Sequence, residues 1–333
     1  MPTNSQNTKV RFAVMGLNMG KRHAQICHLS DKTDLRWVID LDESLSKDMA
    51  ATYGCNYSTK LEDALPDVDA VIICTPHFLH HQHGLAAIRA GKHVLIEKPF
   101  ALKEADCVEL VEEAHKFGVK LMVGLQRRFL PAFRRFKEIV DSGEYGEPFN
   151  VDVWMNAYNK TSASGTWRAK KDRVGGGVLF SHACHYIDMM IQLMGEPVES
   201  LALGTRLGSE WLEGEGTTQS IYRFGNGAIG HLSASWGTLY CTPLPIIRLY
   251  TPQACLNLGQ DNITVIDEQG QRQLYEYQPT RIGDLELTPG LKQLWDQDEH
   301  FAECILYDRT PETNGESALQ TFRPIWEMYS RWN

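Results

Sequence analysis

The chain has 333 residues, of which 43% are apolar and 23% charged, and its formal net charge is -9. That length buries a large core and more readily makes two domains than one. The acidic balance argues against nucleic acid as a partner, because a phosphate backbone selects a basic face. Residues 1–8 are polar and lack the apolar core of a signal peptide, and no run reaches the length of a membrane span. The eight cysteines, Cys27, Cys55, Cys74, Cys107, Cys184, Cys241, Cys255 and Cys304, show no Cys-x-x-Cys spacing, and several sit in apolar runs. They read as reduced, mostly buried thiols of a cytoplasmic protein.

Along residues 9 to 125, short β-rich runs alternate with helical stretches, the pattern of a parallel sheet covered on both faces. The strands predicted are Val10–Met15, Arg36–Asp40, Ala70–Cys74, His93–Ile96 and Lys120–Val123. The helices between them are Lys21–Leu29, Ser44–Tyr53, His80–Ala90 and Lys103–Phe117, the last closed by Gly118. A further helix, Ala132–Ser142, ends at Gly143, and from Pro148 the texture changes. One helix is expected over 176–194, then β-rich runs to about 277 in an antiparallel or mixed sheet, then helices again in the last forty residues. The polar, glycine-bearing stretch 157–177 reads as a loop over a site.

Three places carry chemistry. In Gly91–Pro99 the apolar strand Val94–Ile96 ends in Glu97-Lys98-Pro99, and Pro99 stops the ladder and holds Lys98 extended. If the sheet is parallel, Lys98 stands at the strand end where open α/β sheets bind ligands; the alternative is a surface lysine. The turn Gly16-Leu17-Asn18-Met19-Gly20 sits where a dinucleotide fold brings backbone N–H groups to a pyrophosphate. It is one residue shorter than G-x-G-x-x-G and puts Asn18 at the second glycine, a residue that tolerates positive φ. Asp40, ending the second strand, is placed to bind ribose hydroxyls, and no Arg or Lys follows in Leu41–Ser44 to meet a 2′-phosphate. This favours NAD over NADP, with a turn aspartate as the alternative. In the helix over 176–194, Ser181, His185 and Asp188 fall on one face, opposite Ile187, Met190, Ile191 and Met194. A histidine on a polar face beside a carboxylate is a proton acceptor near neutral pH, or else a packing histidine. His182, Cys184 and His185, and the cluster His77, His80, His81 and His83, lack metal-site spacing, so no metal is expected.

These motifs, with Cys74-Thr75-Pro76, His80, Gly124-Leu125-Gln126-Arg127-Arg128-Phe129, Trp167-Arg168 and Gly175-Gly176-Gly177 through His185-x-x-Asp188, together resemble the Gfo/Idh/MocA family. That resemblance implies an N-terminal Rossmann domain, placed at 1–127. A C-terminal α/β domain at 128–333 would carry a large open, mostly antiparallel sheet that commonly builds dimers or tetramers, and the last helices are free to pack on the first domain. It further implies NAD with its reactive ring near Lys98. Lys98 would orient and polarise the reacting hydroxyl, while His185 exchanges its proton. Thr75, Pro76, His80 and Glu97 would line the cofactor cleft, and Trp167 and Arg168 would approach from the loop. Ser181, His182, Asp188 and Arg128 are candidate substrate contacts. Ser181 occupies a position where family dehydrogenases commonly carry Asp, so it offers no charge to raise the basicity of His185. Trp154, Tyr158, Trp236 and Tyr240 suggest an apolar wall for a sugar face, with core or interface packing as the alternative.

The expected activity is hydride transfer between NAD and a carbinol of a sugar, sugar derivative or cyclitol, in an enzyme without nucleic-acid or membrane partners. Two alternatives stay open. One is an enzyme with permanently bound NAD that oxidises transiently, as glycoside hydrolases and aldose-aldose oxidoreductases of this family do. The other is a non-enzymatic NAD-binding regulator.

Overall fold

The structure is a computed structural model and describes residues 9–240 and 244–332. The readings of residues 1–8 and of Cys241 therefore lie outside the described residues. Contacts divide the chain into two compact units, one running to Gly124 and joined by Leu294–Ala318, the other comprising Leu125–Gln293 and the residues from Leu319 onward.

The first unit alternates strand and helix: β1 Val10–Met15, α1 Leu17–Leu29, β2 Thr33–Ile39, α2 Glu43–Tyr53, β3 Asn56–Ser58, β4 Ala70–Ile73, α3 His80–Arg89, β5 His93–Glu97, α4 Glu104–Phe117 and β6 Leu121–Gly124. All pairings are parallel, in the order β3-β2-β1-β4-β5-β6. The strands are the most apolar segments, and Ala70–Ile73 is buried throughout, as a sheet covered on both faces requires. Asp42 caps α2 by accepting from the Leu45 N–H at 3.1 Å, and Gly118, at φ 65°, ends α4. Two boundaries differ from the sequence expectation by three residues or more, and the others by at most one. The first helix begins at Leu17 rather than Lys21, because the glycine turn runs directly into it, and β2 begins three residues earlier, at Thr33. The edge strand β3 was not expected; it has only three residues and two are exposed.

The second unit contains α5 Pro131–Asp141, β7 Asn150–Asn156, α6 Lys160–Ala163, α7 Lys171–Val174, α8 Val178–Ser181, α9 Cys184–Met194, β8 Pro197–Thr205, β9 Thr217–Phe224, β10 Ile229–Ser235, β11 Ile247–Tyr250, β12 Cys255–Leu258, β13 Asn262–Asp267 and β14 Gly270–Glu276. A hairpin, β15 Thr280–Ile282 with β16 Leu285–Leu287, follows. Eight strands form one sheet in the order β14-β13-β12-β11-β7-β10-β9-β8, antiparallel except where β7 meets β10. In β9, buried Thr218, Ser220, Tyr222 and Phe224 alternate with outward residues. Leu201, Leu203 and Ile221 lie exposed on the open face. The chain ends in α10 Pro289–Leu306 and α11 Gly315–Ser330. The C-terminal part of α10 completes the first unit, where Phe301 meets Phe12 with ring centroids 6.1 Å apart.

The single helix expected over 176–194 is two. After α8 the Ala183 N–H reaches back to the Val178 carbonyl at 2.9 Å, and His182 takes φ -130° before α9 restarts. At this break the His182 ring accepts a hydrogen bond from the Trp236 indole, 3.1 Å away. Ser181 thus does not share a helical face with His185 and Asp188. The expected polar face is absent as well, because α9 is buried all round from Cys184 to Ile191.

Candidate active site

In the first unit the turn after β1 is shaped by contact. Gly16 has φ +89°, and a Cβ there would lie 2.6 Å from the Cys74 carbonyl carbon, so only glycine fits. At Gly20 a Cβ would come 2.9 Å from Val14 Cγ1, so this glycine lets α1 pack on β1. Asn18 lies within the helix, and the positive φ allowed for it is not used; among the described residues Asp308 is the only non-glycine with one. Asp40 sits at the end of β2 and accepts from the Leu17 N–H at 2.6 Å and the Asp42 N–H at 3.1 Å. Each carboxylate oxygen keeps a further lone pair. The first turn of α1 holds no acidic residue. This donor set fits a dinucleotide: helix N–H groups and dipole for the pyrophosphate, and Asp40 for ribose hydroxyls.

The ends of β4 and β5 are tied together. Buried His80 directs Nδ1 to the Pro99 carbonyl at 2.7 Å and Nε2 to the Thr75 carbonyl at 2.8 Å. Burial lowers its pKa, and the two carbonyls oppose that shift. Thr75 Oγ1 is 3.1 Å from His83 Nδ1, and His81 pairs with Glu109, so the histidine cluster is dispersed over separate partners. No group of three or more metal-ligating side chains occurs among the described residues. Glu97 is 5% exposed, and its Oε2 accepts from the Lys98 N–H at 3.2 Å. Gly124 leaves room for this carboxylate, since a Cβ there would lie 2.9 Å from Glu97 Oε1. Lys98 is half-buried at the carboxyl end of β5, followed by a cis Lys98–Pro99 bond.

In the second unit, Arg128 and Asp188 hold each other. Arg128 Nε donates to Asp188 Oδ2 at 2.8 Å and its NH2 donates to Oδ1 at 2.6 Å, while Thr321 Oγ1 donates to Oδ1 at 2.7 Å. With Asp188 wholly buried, this fork takes up the carboxylate that the sequence reading offered to substrate. His182, His185 and Tyr186 form a cluster of rings, His182 lying 6.3 Å from His185 and 6.1 Å from Tyr186 by centroid, and Arg127 stacks on Tyr186 at 4.9 Å. Ser181 and His185 are buried. Trp167 carries the Arg168 guanidinium over its ring at 4.6 Å, and burial lowers the pKa of Arg168. Of the aromatic wall, Trp236 reaches His182, Trp154 carries Arg248 at 5.6 Å, Tyr158 packs on Trp211, and Tyr240 is exposed.

Four residues escaped the sequence reading. Glu215 and Tyr329 brace the glycine run before α8: the Gly177 N–H donates to Tyr329 Oη at 3.1 Å, and Tyr329 Oη donates to Glu215 Oε1 at 2.7 Å. A Cβ on Gly176 or Gly177 would collide with these side chains, so the glycines mark a close approach that sequence alone could have flagged. Burial raises both the Glu215 and the Tyr329 pKa. His23 and Asp298, the other two, are buried together in the first unit.

A six-stranded parallel sheet in this order, with a glycine turn at the point where the strand order reverses and a carboxylate ending the second strand, defines a dinucleotide-binding protein. Residues 10–125 match a family model described as an oxidoreductase family with an NAD-binding Rossmann fold, and residues 133–250 match the Gfo/Idh/MocA C-terminal domain. The chain belongs to the Gfo/Idh/MocA family of oxidoreductases, and its cofactor is NAD. The myo-inositol 2-dehydrogenase of Thermotoga maritima is 30% identical over 276 residues, covering 79% of this chain and 80% of the relative. A 4-carboxy-2-hydroxymuconate-6-semialdehyde dehydrogenase of a Sphingobium species is 27% identical over 96% of this chain and 98% of its own. Among solved structures, GenD2 from gentamicin A biosynthesis, in complex with NAD, is 26% identical with a TM-score of 0.78, covering 99% of this chain and 96% of that one.

Proposed function

We propose that this chain is an NAD-dependent dehydrogenase that oxidises a secondary hydroxyl of a sugar, sugar derivative or cyclitol, or reduces the matching carbonyl. One observation carries the reading: Lys98 stands at the carboxyl end of β5, in the same parallel sheet whose β1 end bears the Gly16 turn. Bound NAD supplies the hydride acceptor. In the oxidising direction the carbinol carbon gives up a hydride and its oxygen gives up a proton, leaving a carbonyl. The Lys98 ammonium orients the hydroxyl and stabilises the charge that develops on its oxygen, and the imidazole of His185 takes the proton. Asp40 holds the ribose hydroxyls and repels a 2′-phosphate, so NAD is preferred over NADP. Thr75, Pro76 and His80 line the cofactor cleft, and Trp167 and Arg168 approach from their loop.

Ser181 and His182 contact the substrate, whereas Arg128 and Asp188 are assigned to the framework because they are spent on each other. The exposed Leu201, Leu203 and Ile221 on the open sheet face support a homodimer or homotetramer. The seven described cysteines are free, which fits the cytoplasm, and no helix among the described residues is long and apolar enough to cross a membrane. Screening sugars, sugar acids and inositols with NAD and NADP, by nicotinamide absorbance, tests the reading. Turnover with NAD that is abolished in Lys98→Met and His185→Gln is the expected result; equal activity with NADP would refute the role of Asp40.

A further inference from the structure

His23 projects from α1 into the interior of the first unit and is 0% exposed. Its Nδ1 lies 2.8 Å from Asp298 Oδ2 and 3.0 Å from Oδ1, contacts supplied by α10. A carboxylate only accepts, so Nδ1 carries a proton. On the other side, Nε2 lies 3.3 Å from Glu97 Oε1. The Cys74 thiol also hydrogen-bonds the His23 ring, and apart from it neither atom has a further hydrogen-bond partner among the described residues. A bare Nε2 lone pair against a buried carboxylate oxygen would be repulsive, whereas a protonated Nε2 turns the contact into an ion pair. Other groups face this pair. Cys27 comes from α1 itself, Cys74 follows β4, His80 comes from α3, and the Lys98 ammonium attracts Glu97 from the end of β5.

Charge decides between the two forms of His23. With Asp298 and Glu97 both ionised and Lys98 cationic, an imidazolium brings the set to neutrality, and a neutral imidazole leaves a net buried negative charge. We infer that Asp298, His23 and Glu97 form a chain of alternating charge that ends on Lys98, and that His23 is a positioning residue which keeps Glu97 anionic and thereby holds the Lys98 ammonium at the strand end. Burial works against the charged form of His23, but Asp298 and Cys74 raise its pKa well above the ordinary range. Burial likewise pushes Glu97 up, yet His23 and Lys98 hold it below the usual carboxylate range. Asp298 is raised by burial, against the pull of His23.

The inference rests on Lys98 being the catalytic ammonium, but its first test does not. Nitrogen-15 spectra of the ring-labelled wild-type protein should show both His23 nitrogens protonated at neutral pH, with His23→Gln identifying the signals. A neutral tautomer there would overturn the chain. The second test uses kcat/KM against pH. With His23→Gln, Glu97 faces Asp298 without a cation between them and keeps a proton to higher pH, so the acid limb should move up by about one unit, tenfold in proton concentration, or more. Adding Asp298→Asn removes the competing charge and should return the limb toward the wild-type position. An unmoved limb in His23→Gln, or a double variant that keeps the single variant's shift, would leave His23 a packing residue and sink the inference. If His23→Gln does not fold, the wild-type ring signals decide alone. Full turnover in Lys98→Met would instead remove the proposed function while leaving the ring signals as they are.

Discussion

Each unit buries a carboxylate beside candidate site residues, and the two are neutralised in different ways. Asp188 receives a guanidinium fork and a hydroxyl from immediate neighbours, with three donor contacts of 2.8 Å or less. Glu97 has one backbone N–H at 3.2 Å and an imidazole at 3.3 Å, itself held by a second carboxylate. A fork closed on itself fixes position and leaves no charge to use. A chain with longer links leaves the charge of Glu97 coupled to whatever stands next to it, which here is Lys98. On the proposed function, a buried carboxylate thus serves the frame in one unit and the reaction in the other.

The contrast can be broken from either side. Arg128→Met removes the only side chain that neutralises Asp188 within that fork, and should destabilise the protein by about 3–5 kcal/mol, read as a lower urea midpoint. Adding Asp188→Asn should restore part of the loss. Lys98→Met should do the reverse, lowering kcat by about 10²–10³ while lowering the urea midpoint less than Arg128→Met does, because Lys98 is only half-buried. If both variants lose mainly stability, the distinction between frame and reaction fails.

The pH dependence of stability sharpens the point. Glu97 is depressed, so its contribution is present above the unfolded value of about 4.3 and is lost as pH falls through the folded value. His23 is raised, so its contribution is full below about 6.5 and is lost as pH rises through its higher folded value. The unfolding midpoint should therefore decline on both sides, and His23→Gln should flatten the alkaline side. The smallest effect is expected from Tyr329→Phe, which deletes one hydroxyl between Gly177 and Glu215 and should cost about 1–2 kcal/mol in thermal or urea unfolding.

The first unit was legible in the sequence because its signals are local. Apolar runs such as Val94–Ile96, glycine caps such as Gly118 and the Gly16 turn each depend on a few adjacent residues. The second unit was legible only in outline. Periodicity sorted 176–194 as one amphipathic helix, but the break at His182 is drawn by Trp236, fifty-four positions away in sequence. Tertiary burial also overrode the expected polar face of α9, since Asp188 could be buried once Arg128 and Thr321 supplied its partners. Glu215, Tyr329, His23 and Asp298 went unnoticed for the same reason: single residues of ordinary type acquire a role only when distant segments meet.

The return of Leu294–Ala318 to the first unit bears on how the protein is made. A nascent chain that has passed Gly124 already holds every strand of the parallel sheet, together with His23 and Glu97, but Asp298 has not yet been synthesised. At the ordinary pace of translation that interval is roughly 10 to 35 s. Throughout it the half-built unit lacks one of the two carboxylates that flank His23. The unit is completed only by a segment made after the second sheet, so a product cut short after that sheet would lack Asp298 altogether.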